Sequence, residues 1–179
     1  MSTSQTLNQL LTLFDIKDYD ILLVGDGSGS TWNRPNGWGC ISIEQASLER
    51  KVWYGASNAG SSNLAEIMAY LQPLMWFAHE QLKKESMQFK QVHIITDSAY
   101  LTNKGKSSDS RYGVDAAVWQ SFSHFKSFGL NLHWHWAKRN SVELNSLADY
   151  LSKTARRHME DLFDQEDLKQ KLYSFNEAE

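Results

Sequence analysis

Two short apolar segments that each end in aspartate constrain the fold of this chain most strongly. Residues 20–26 read DILLVGD and residues 92–97 read VHIITD, and a small residue follows the aspartate in both cases. Short apolar runs bounded by turn residues indicate buried strands. Because ligands bind at the loops that end the strands of α/β sheets, Asp26 and Asp97 are the first candidate functional residues.

The segments around the first apolar run predict an antiparallel meander. Residues 5–14 have helical spacing and predict a short leading helix. Residues 37–44 and 50–56 are further strand candidates, and the polar link between them is short enough for a hairpin. The run at 20–26 is expected to end in a Gly-Ser loop at residues 27–30.

From residue 63 to about residue 84 the apolar residues recur at helical spacing. Ser61 or Ser62 can cap this predicted helix, and Pro73 should kink or split it.

The second half of the chain alternates between strands and helices. A polar loop is expected at 104–113, a helix at 115–128 and an alternating strand at 130–136. A helix follows at 144–155, and the last twenty residues are typical of a helix with an acidic surface. Three antiparallel strands followed by β-α-β units predict an α/β fold, with a mixed five-stranded sheet flanked by helices.

Composition excludes several classes of protein. The hydrophobic content of 41% is enough for a packed core, and the single cysteine, Cys40, excludes an internal disulfide. No apolar run approaches the roughly 20 residues of a membrane helix, and the N-terminus does not have the pattern of a signal peptide. The expected location is therefore the cytoplasm.

Four carboxylates are candidates for a shared site, although each has an ordinary structural explanation. Asp26 and Asp97 could be turn residues, and Glu66 could favour the dipole of its helix. Asp149 borders an apolar stripe, and Asn145 shares its helix face, so a structural hydrogen bond would explain this pair.

The four acids and their flanking residues together closely resemble the ribonuclease H type I family. The matching segments are LLVGDGSGS (22–30), SSNLAEIMAYLQPL (61–74), HIITDSAYLTN (93–103) and NLHWHWAKRNSVELNSLADYLSKTA (131–155). The resemblance implies a ribonuclease H-like catalytic domain at 19–157, with an N-terminal extension at 1–18. An acidic C-terminal extension at 158–179 holds seven acids and two lysines.

The activity that this resemblance implies is hydrolysis of the RNA strand of RNA/DNA hybrids by two metal ions. Asp26 is expected to bridge both ions, with Asp149 completing the first metal site and Glu66 and Asp97 the second. Mg²⁺ is the expected metal, with Mn²⁺ as a substitute.

Contacts to the substrate are expected near three of these acids, since family members recognise the 2′-hydroxyl of RNA there. The expected substrate-binding residues are Gly27, Ser28, Ser62, Asn63 and Asn145. For Ser62 and Asn63, helix capping is the alternative interpretation.

The loop before Asp149 departs from the pattern of many family members, which carry a histidine there. Alignment from the helix gives Arg139 at that position, and alignment from the strand gives Asn140. Neither is a general acid or base near neutral pH, so Arg139 is interpreted as a phosphate or product contact. His133 and His135 are interpreted as residues of the sheet or its surface.

The spacing between Asp97 and Asp149 is the second departure, because it leaves no room for the basic protrusion of many members. Lys104, Lys106 and Arg111 could partly replace it. Both departures indicate the branch of the family that lacks the loop histidine and the protrusion.

Two other functions remain open from the sequence: a DNA nuclease or resolvase on the same fold, and a non-catalytic nucleic-acid-binding module. The net charge of −3 does not separate them, because residues 1–157 carry a balance of +2, which is compatible with a phosphate backbone.

Overall fold

The structure, a computed structural model, describes residues 5–29, 34–58, 60–106 and 116–176. Within these ranges, the side chains of residues 104–106, 116–119 and 162–176 are not described. No helix in the described ranges is long and apolar enough to cross a membrane.

A single mixed sheet of five strands forms the centre of the fold. The strands are β1 (Ile21–Ser28), β2 (Asn36–Glu44), β3 (Arg50–Ser57), β4 (Lys90–Thr96) and β5 (Leu130–Trp136). Their order in the sheet is β3-β2-β1-β4-β5. The pairs β1–β2 and β2–β3 are antiparallel, whereas β1–β4 and β4–β5 are parallel. The predicted α/β fold with a mixed five-stranded sheet is therefore confirmed.

Helices cover both faces of the sheet, and the sheet separates two buried cores. They are α1 (Leu7–Leu13), α2 (Ser62–Leu82), α3 (Ala99–Lys106), α4 (Ala116–His124) and α5 (Glu143–Asn176), with a 3₁₀ turn at Phe125–Phe128. One core contains residues of α2, α3 and the 3₁₀ turn, and the other contains residues of α1 and α5. Helix α2 and the first part of α5 bury apolar residues against the sheet, and such packing is the main source of helix stability in proteins.

Strand β1 is longer than the sequence predicts, because the antiparallel partner β2 continues its ladder. Gly27 pairs with Trp38 and Ser28 pairs with Gly37. Asp26 is thus inside the strand and not at its end. The expectation that the strand ends at Asp26 was wrong, since the apolar run ends before the hydrogen-bonded ladder does.

Three helix predictions also need correction. Helix α2 runs unbroken through Pro73, so the proline does not split it, and the alternative of a kink stays a prediction. Helix α3 extends to Lys106, into the segment expected to be a loop, because the burial of Leu101 stabilises a helix of weak propensity. Residues 107–115 lie outside the described part of the chain. Helix α5 is a single helix, because no glycine or proline interrupts it near residue 158.

Candidate active site

Three carboxylates from three different elements meet at one end of the sheet. Asp26 lies on β1, Glu66 on α2, and Asp97 directly after β4. One oxygen from each lies within 4.8 Å of the others. Asp26 (3% exposed) and Glu66 (9% exposed) are buried, and Asp97 is a half-buried residue whose side chain is only 2% exposed. In the described ranges, this is the one group of three or more His, Cys, Asp or Glu residues that could hold a metal ion.

The parallel pairing of β1 and β4 brings Asp26 and Asp97 together. Val24 lies opposite Ile95 in the ladder, and Asp26 and Asp97 each follow these residues by two positions. Tyr70 of α2 joins them through its buried hydroxyl group. The Tyr70 oxygen accepts from the Gly25 N–H at 3.1 Å and lies 2.7 Å and 2.8 Å from the carbonyl oxygens of Gly25 and Ile95. This residue therefore fixes α2 against both acid-bearing strands.

Gly27 allows the start of α2 to approach β1 closely enough to add Glu66 to the cluster. A Cβ atom at Gly27 would lie 2.3 Å from the backbone nitrogen of Glu66. Ser61 caps the start of the helix here, because its Oγ accepts from the Leu64 N–H at 3.0 Å. A glycine is therefore required beside Asp26 for a steric reason and not for a turn.

The cluster is electrostatically unfavourable when it holds no cation. Burial, and next the charge of Asp97, raises the pKa of Asp26 to about 7. Burial also raises the pKa of Glu66 well above its usual value, and the charges of Asp26 and Asp97 add to this effect. Ionisation of both carboxylates in one buried site is energetically unfavourable unless a positive charge lies beside them.

Two oxygens of the cluster are buried without a hydrogen-bond partner. They are Oε2 of Glu66 and Oδ1 of Asp97. Buried polar atoms usually find a partner, and an unpaired one often indicates an ion or water site. Carboxylate oxygens are the ligands that Mg²⁺ prefers, so this donor set fits a divalent metal ion.

Asp149, the fourth predicted acid, lies at the edge of the cluster. It interacts with Asp26, because its charge and its hydrogen bond both raise the pKa of Asp26. Its own Oδ2 accepts from Lys153 Nζ at 2.7 Å, and its side chain is 38% exposed. Gly39 lets α5 approach β2 at this point, since a Cβ there would lie 2.6 Å from the carbonyl oxygen of Ala148.

Arg139 contacts the cluster directly. Its Nε donates to Oδ2 of Asp97 at 3.0 Å, while its side chain is 76% exposed. The hydrogen bond and the charge of Asp97 raise the pKa of Arg139, so it stays charged at any relevant pH. The next residue, Asn140, has a positive φ of 62°, which turns the loop toward α5.

The five predicted substrate-binding residues lie within four positions of an acid along the chain, Gly27 and Ser28 after Asp26, Ser62 and Asn63 before Glu66, and Asn145 before Asp149. Ser28 and Asn145 are buried, Gly27 is half-buried, and Ser62 and Asn63 are exposed in the first turn of α2. Ser61 is the N-cap of α2, so Ser62 and Asn63 are not needed for capping. Oδ1 of Asn145 is buried without a partner.

Sequence reasoning missed two residues beside these acids. Lys153 follows Asp149 by one helical turn, and that spacing alone predicts an ion pair. The indole N–H of Trp136 donates to the Asp97 carbonyl oxygen at 3.1 Å, while the side chain stays exposed. No pattern in the sequence indicates this second contact, because it depends on how β4 and β5 end side by side.

The histidines of β5 contact other residues of the sheet. His135 Nε2 is 2.8 Å from His93 Nδ1, and His133 Nε2 is 2.7 Å from the Gln91 side-chain oxygen. Burial, and next the neighbouring His133 and His135, lowers the pKa of His93 to about 4. These rings are residues of the sheet.

A family model, proteins of similar sequence and solved structures all indicate ribonuclease H. The family model for RNase H matches residues 18–157. The ribonuclease H of Legionella pneumophila (strain Corby) is 29% identical over 131 residues, which cover 66% of this chain and 83% of that protein.

Solved structures share the fold at lower identity. The ribonuclease H1 LC11, isolated from compost, has a TM-score of 0.61 and 18% identity, and covers 79% of this chain and 98% of its own. The N-terminal RNase H domain of a Mycobacterium tuberculosis protein has a TM-score of 0.58 and 16% identity. The match covers 79% of this chain and 96% of that domain's chain. Since the family model spans most of its length, this chain belongs to the RNase H family.

Proposed function

We propose that this protein is an endonuclease that hydrolyses the RNA strand of RNA/DNA hybrids with the help of divalent metal ions. The observation that carries the proposal is the buried trio Asp26, Glu66 and Asp97, with its two unpartnered oxygens. Without a cation, the mutual repulsion and burial of these carboxylates destabilise the folded protein. As ligands for a divalent metal ion, the same oxygens bind favourably.

Asp26, Glu66, Asp97 and Asp149 would hold the metal, for which Mg²⁺ is the first candidate and Mn²⁺ the second. When bound, a pair of such ions supplies activation of the attacking water and stabilisation of the departing 3′ oxygen. The chain itself supplies a rigid site, since the three buried acids come from a strand, a helix and the end of a second strand.

Arg139 contributes a permanent positive charge at the exposed side of the cluster. Its guanidinium reaches Asp97 and remains largely open to solvent, so it is available to a phosphate group. We assign it a role in holding the phosphate or the cleaved product and not a role in proton transfer. An arginine at this position favours the branch of the family that lacks the loop histidine.

The substrate assignment rests on the family and on the polar residues around the cluster. A structure of the ribonuclease H1 LC11 was solved in complex with an RNA/DNA hybrid, with a TM-score of 0.60 to this chain. Gly27, Ser28, Ser62, Asn63 and Asn145 are the proposed contacts to the hybrid. The 2′-hydroxyl is the group that distinguishes its RNA strand from DNA.

The extents of the catalytic domain (19–157) and its two extensions stay predictions, as does the cytoplasmic location. The single cysteine, Cys40, is buried and free, which is compatible with a reducing compartment.

The test compares labelled RNA/DNA hybrid, double-stranded RNA and double-stranded DNA, each with Mg²⁺, Mn²⁺ or EDTA. Wild-type protein should cut only the hybrid, and only with metal. Asp97→Asn should abolish cutting, whereas Glu85→Gln, which changes an exposed acid outside the site, should not.

The other outcomes decide between the alternatives. Cutting of double-stranded DNA would indicate a DNA nuclease or resolvase. Binding of the hybrid without any cutting would indicate a non-catalytic module, and either result would contradict the proposal.

A further inference from the structure

The N-terminal segment, residues 5–16, is a packed part of the fold and not a loose appendage. Helix α1 begins with a reciprocal cap, in which the Gln9 N–H donates to Thr6 Oγ1 at 3.2 Å and the Thr6 N–H donates to Gln9 Oε1 at 2.8 Å. This capping box stabilises the start of a helix of only seven residues.

Leu10 of α1 packs into the core that lies beneath the loop bearing Arg139. Leu10 is 1% exposed and belongs to the same buried cluster as Ala137, Val142 and Ala148. Ala137 and Val142 stand at the two ends of the loop, and Ala148 lies on α5. The segment therefore packs into the core beneath the loop.

Gln5 and Glu143 connect this segment to α5 by a second reciprocal pair of hydrogen bonds. The Gln5 N–H donates to Glu143 Oε2 at 2.6 Å, and the Glu143 N–H donates to Gln5 Oε1 at 3.1 Å. Glu143 is the first residue of α5, where backbone N–H groups have no partner within the helix. Val142 before it has no side-chain oxygen, so Gln5 provides an acceptor that the helix cannot provide for itself.

Arg139, Asn145 and Asp149 all lie close to this junction along the chain. Arg139 is in the loop just before Glu143, and the other two follow within the first two turns of α5. The first turn of a helix frays readily unless it is fixed from outside. A small displacement of a catalytic group lowers the rate of the reaction more than it lowers stability.

We infer that Gln5, acting through Glu143, is a positioning residue for the loop before α5 and for the first turns of α5. It thereby holds Arg139, Asn145 and Asp149 in the geometry needed for hydrolysis. This inference rests on the proposed function. It assigns residues 5–16 to the catalytic unit, so that a fragment starting at residue 19 would be impaired even where it folds.

Gln5→Ala and Gln9→Ala form a matched pair for the test in the full-length protein. Both shorten a glutamine of the same segment and remove a side-chain oxygen that accepts from a backbone N–H. Gln9→Ala weakens only the start of α1, whereas Gln5→Ala removes the acceptor of the Glu143 N–H. The measurements are amide hydrogen exchange at residues 143–145, and kcat and KM on an RNA/DNA hybrid.

Gln5→Ala should speed exchange at Glu143 and Asn145 about three- to tenfold and lower kcat by a similar factor, with KM little changed. Gln9→Ala should change neither quantity in this region. Glu143→Gln keeps a side-chain oxygen for the Gln5 N–H and should retain most of kcat, whereas Glu143→Ala should not.

Equal effects of Gln5→Ala and Gln9→Ala would overturn the inference, because they would show a general loss of stability. Unchanged exchange in Gln5→Ala would overturn it as well. If wild-type protein fails to cut hybrids, the proposed function fails, but the exchange comparison still decides whether Gln5 fixes the start of α5.

Discussion

Replacement of Asp26 by asparagine should stabilise the metal-free protein at high pH. Burial and the neighbouring charge of Asp97 raise the pKa of Asp26 from 3.8 to about 7. Since one pKa unit corresponds to about 1.4 kcal/mol, an ionised Asp26 costs up to about 4 kcal/mol in the folded state. The asparagine side chain of the variant would be neutral at every pH. It would also keep an oxygen for the Gly27 N–H, which donates to Asp26 Oδ1 at 2.8 Å.

The sign of this effect follows from the raised pKa. Between about pH 4 and pH 7, Asp26 is protonated in the folded protein but ionised in the unfolded chain. Stability therefore falls as pH rises through this range, because the unfolded state binds fewer protons. At pH 4 the two proteins should unfold with similar free energies. At pH 8 in EDTA, Asp26→Asn should be more stable by about 2–4 kcal/mol.

Urea denaturation in EDTA between pH 4 and pH 8 measures this difference. Glu85→Gln serves as the control, because Glu85 is exposed and its effect should not vary in the same way. Mg²⁺ should stabilise wild type more than Asp26→Asn and so reduce the gap. The reasoning would be refuted if Asp26→Asn were less stable than wild type in EDTA at pH 8, or if the gap were independent of pH.

Four further predictions concern the surroundings of the cluster. Arg139→Ala should lower single-turnover cleavage about three- to tenfold, since it removes a charged hydrogen-bond donor, and an unchanged rate would mean that the loop is misassigned. Lys153→Met should lower the Mg²⁺ concentration for half-maximal activity, because Lys153 competes for Asp149; an equal or higher requirement would contradict this. Gly27→Ala should lower the free energy of unfolding by more than about 2 kcal/mol in urea denaturation, since its Cβ would collide with the Glu66 backbone. Hybrid binding should depend weakly on salt, and a steep slope in a salt titration would indicate many phosphate contacts instead.

The sheet and the acids on its central strands were predictable because local patterns determine them. The apolar runs before Asp26 and Asp97 indicate buried strands, and the parallel pairing of these two strands places the acids side by side. Glu66 was predictable through the flanking residues that resemble the family, and not through its position in a helix. Each of these signals lies within a few residues of the acid concerned.

Contacts between distant segments were not predictable in the same way. The hydrogen bond from Arg139 to Asp97 joins the loop before α5 to the end of β4, and the two hydrogen bonds between Gln5 and Glu143 join the segment before α1 to the start of α5. Neither has a signature in the local sequence, because tertiary packing decides which polar groups meet. Helix α3 was missed for a similar reason, since buried Leu101 and not helix propensity stabilises it.

Metal-dependent hydrolysis of RNA paired with DNA is the activity proposed for the carboxylate cluster, and cleavage of a mixed duplex tests it most directly. The measurement uses a duplex in which one strand is DNA except for a short internal stretch of ribonucleotides, with that strand labelled at its end. With Mg²⁺, wild-type protein should cut only within the ribonucleotide stretch, and EDTA or Asp97→Asn should abolish the cut. Cleavage in the DNA portion, or cleavage that persists in EDTA, would contradict the account.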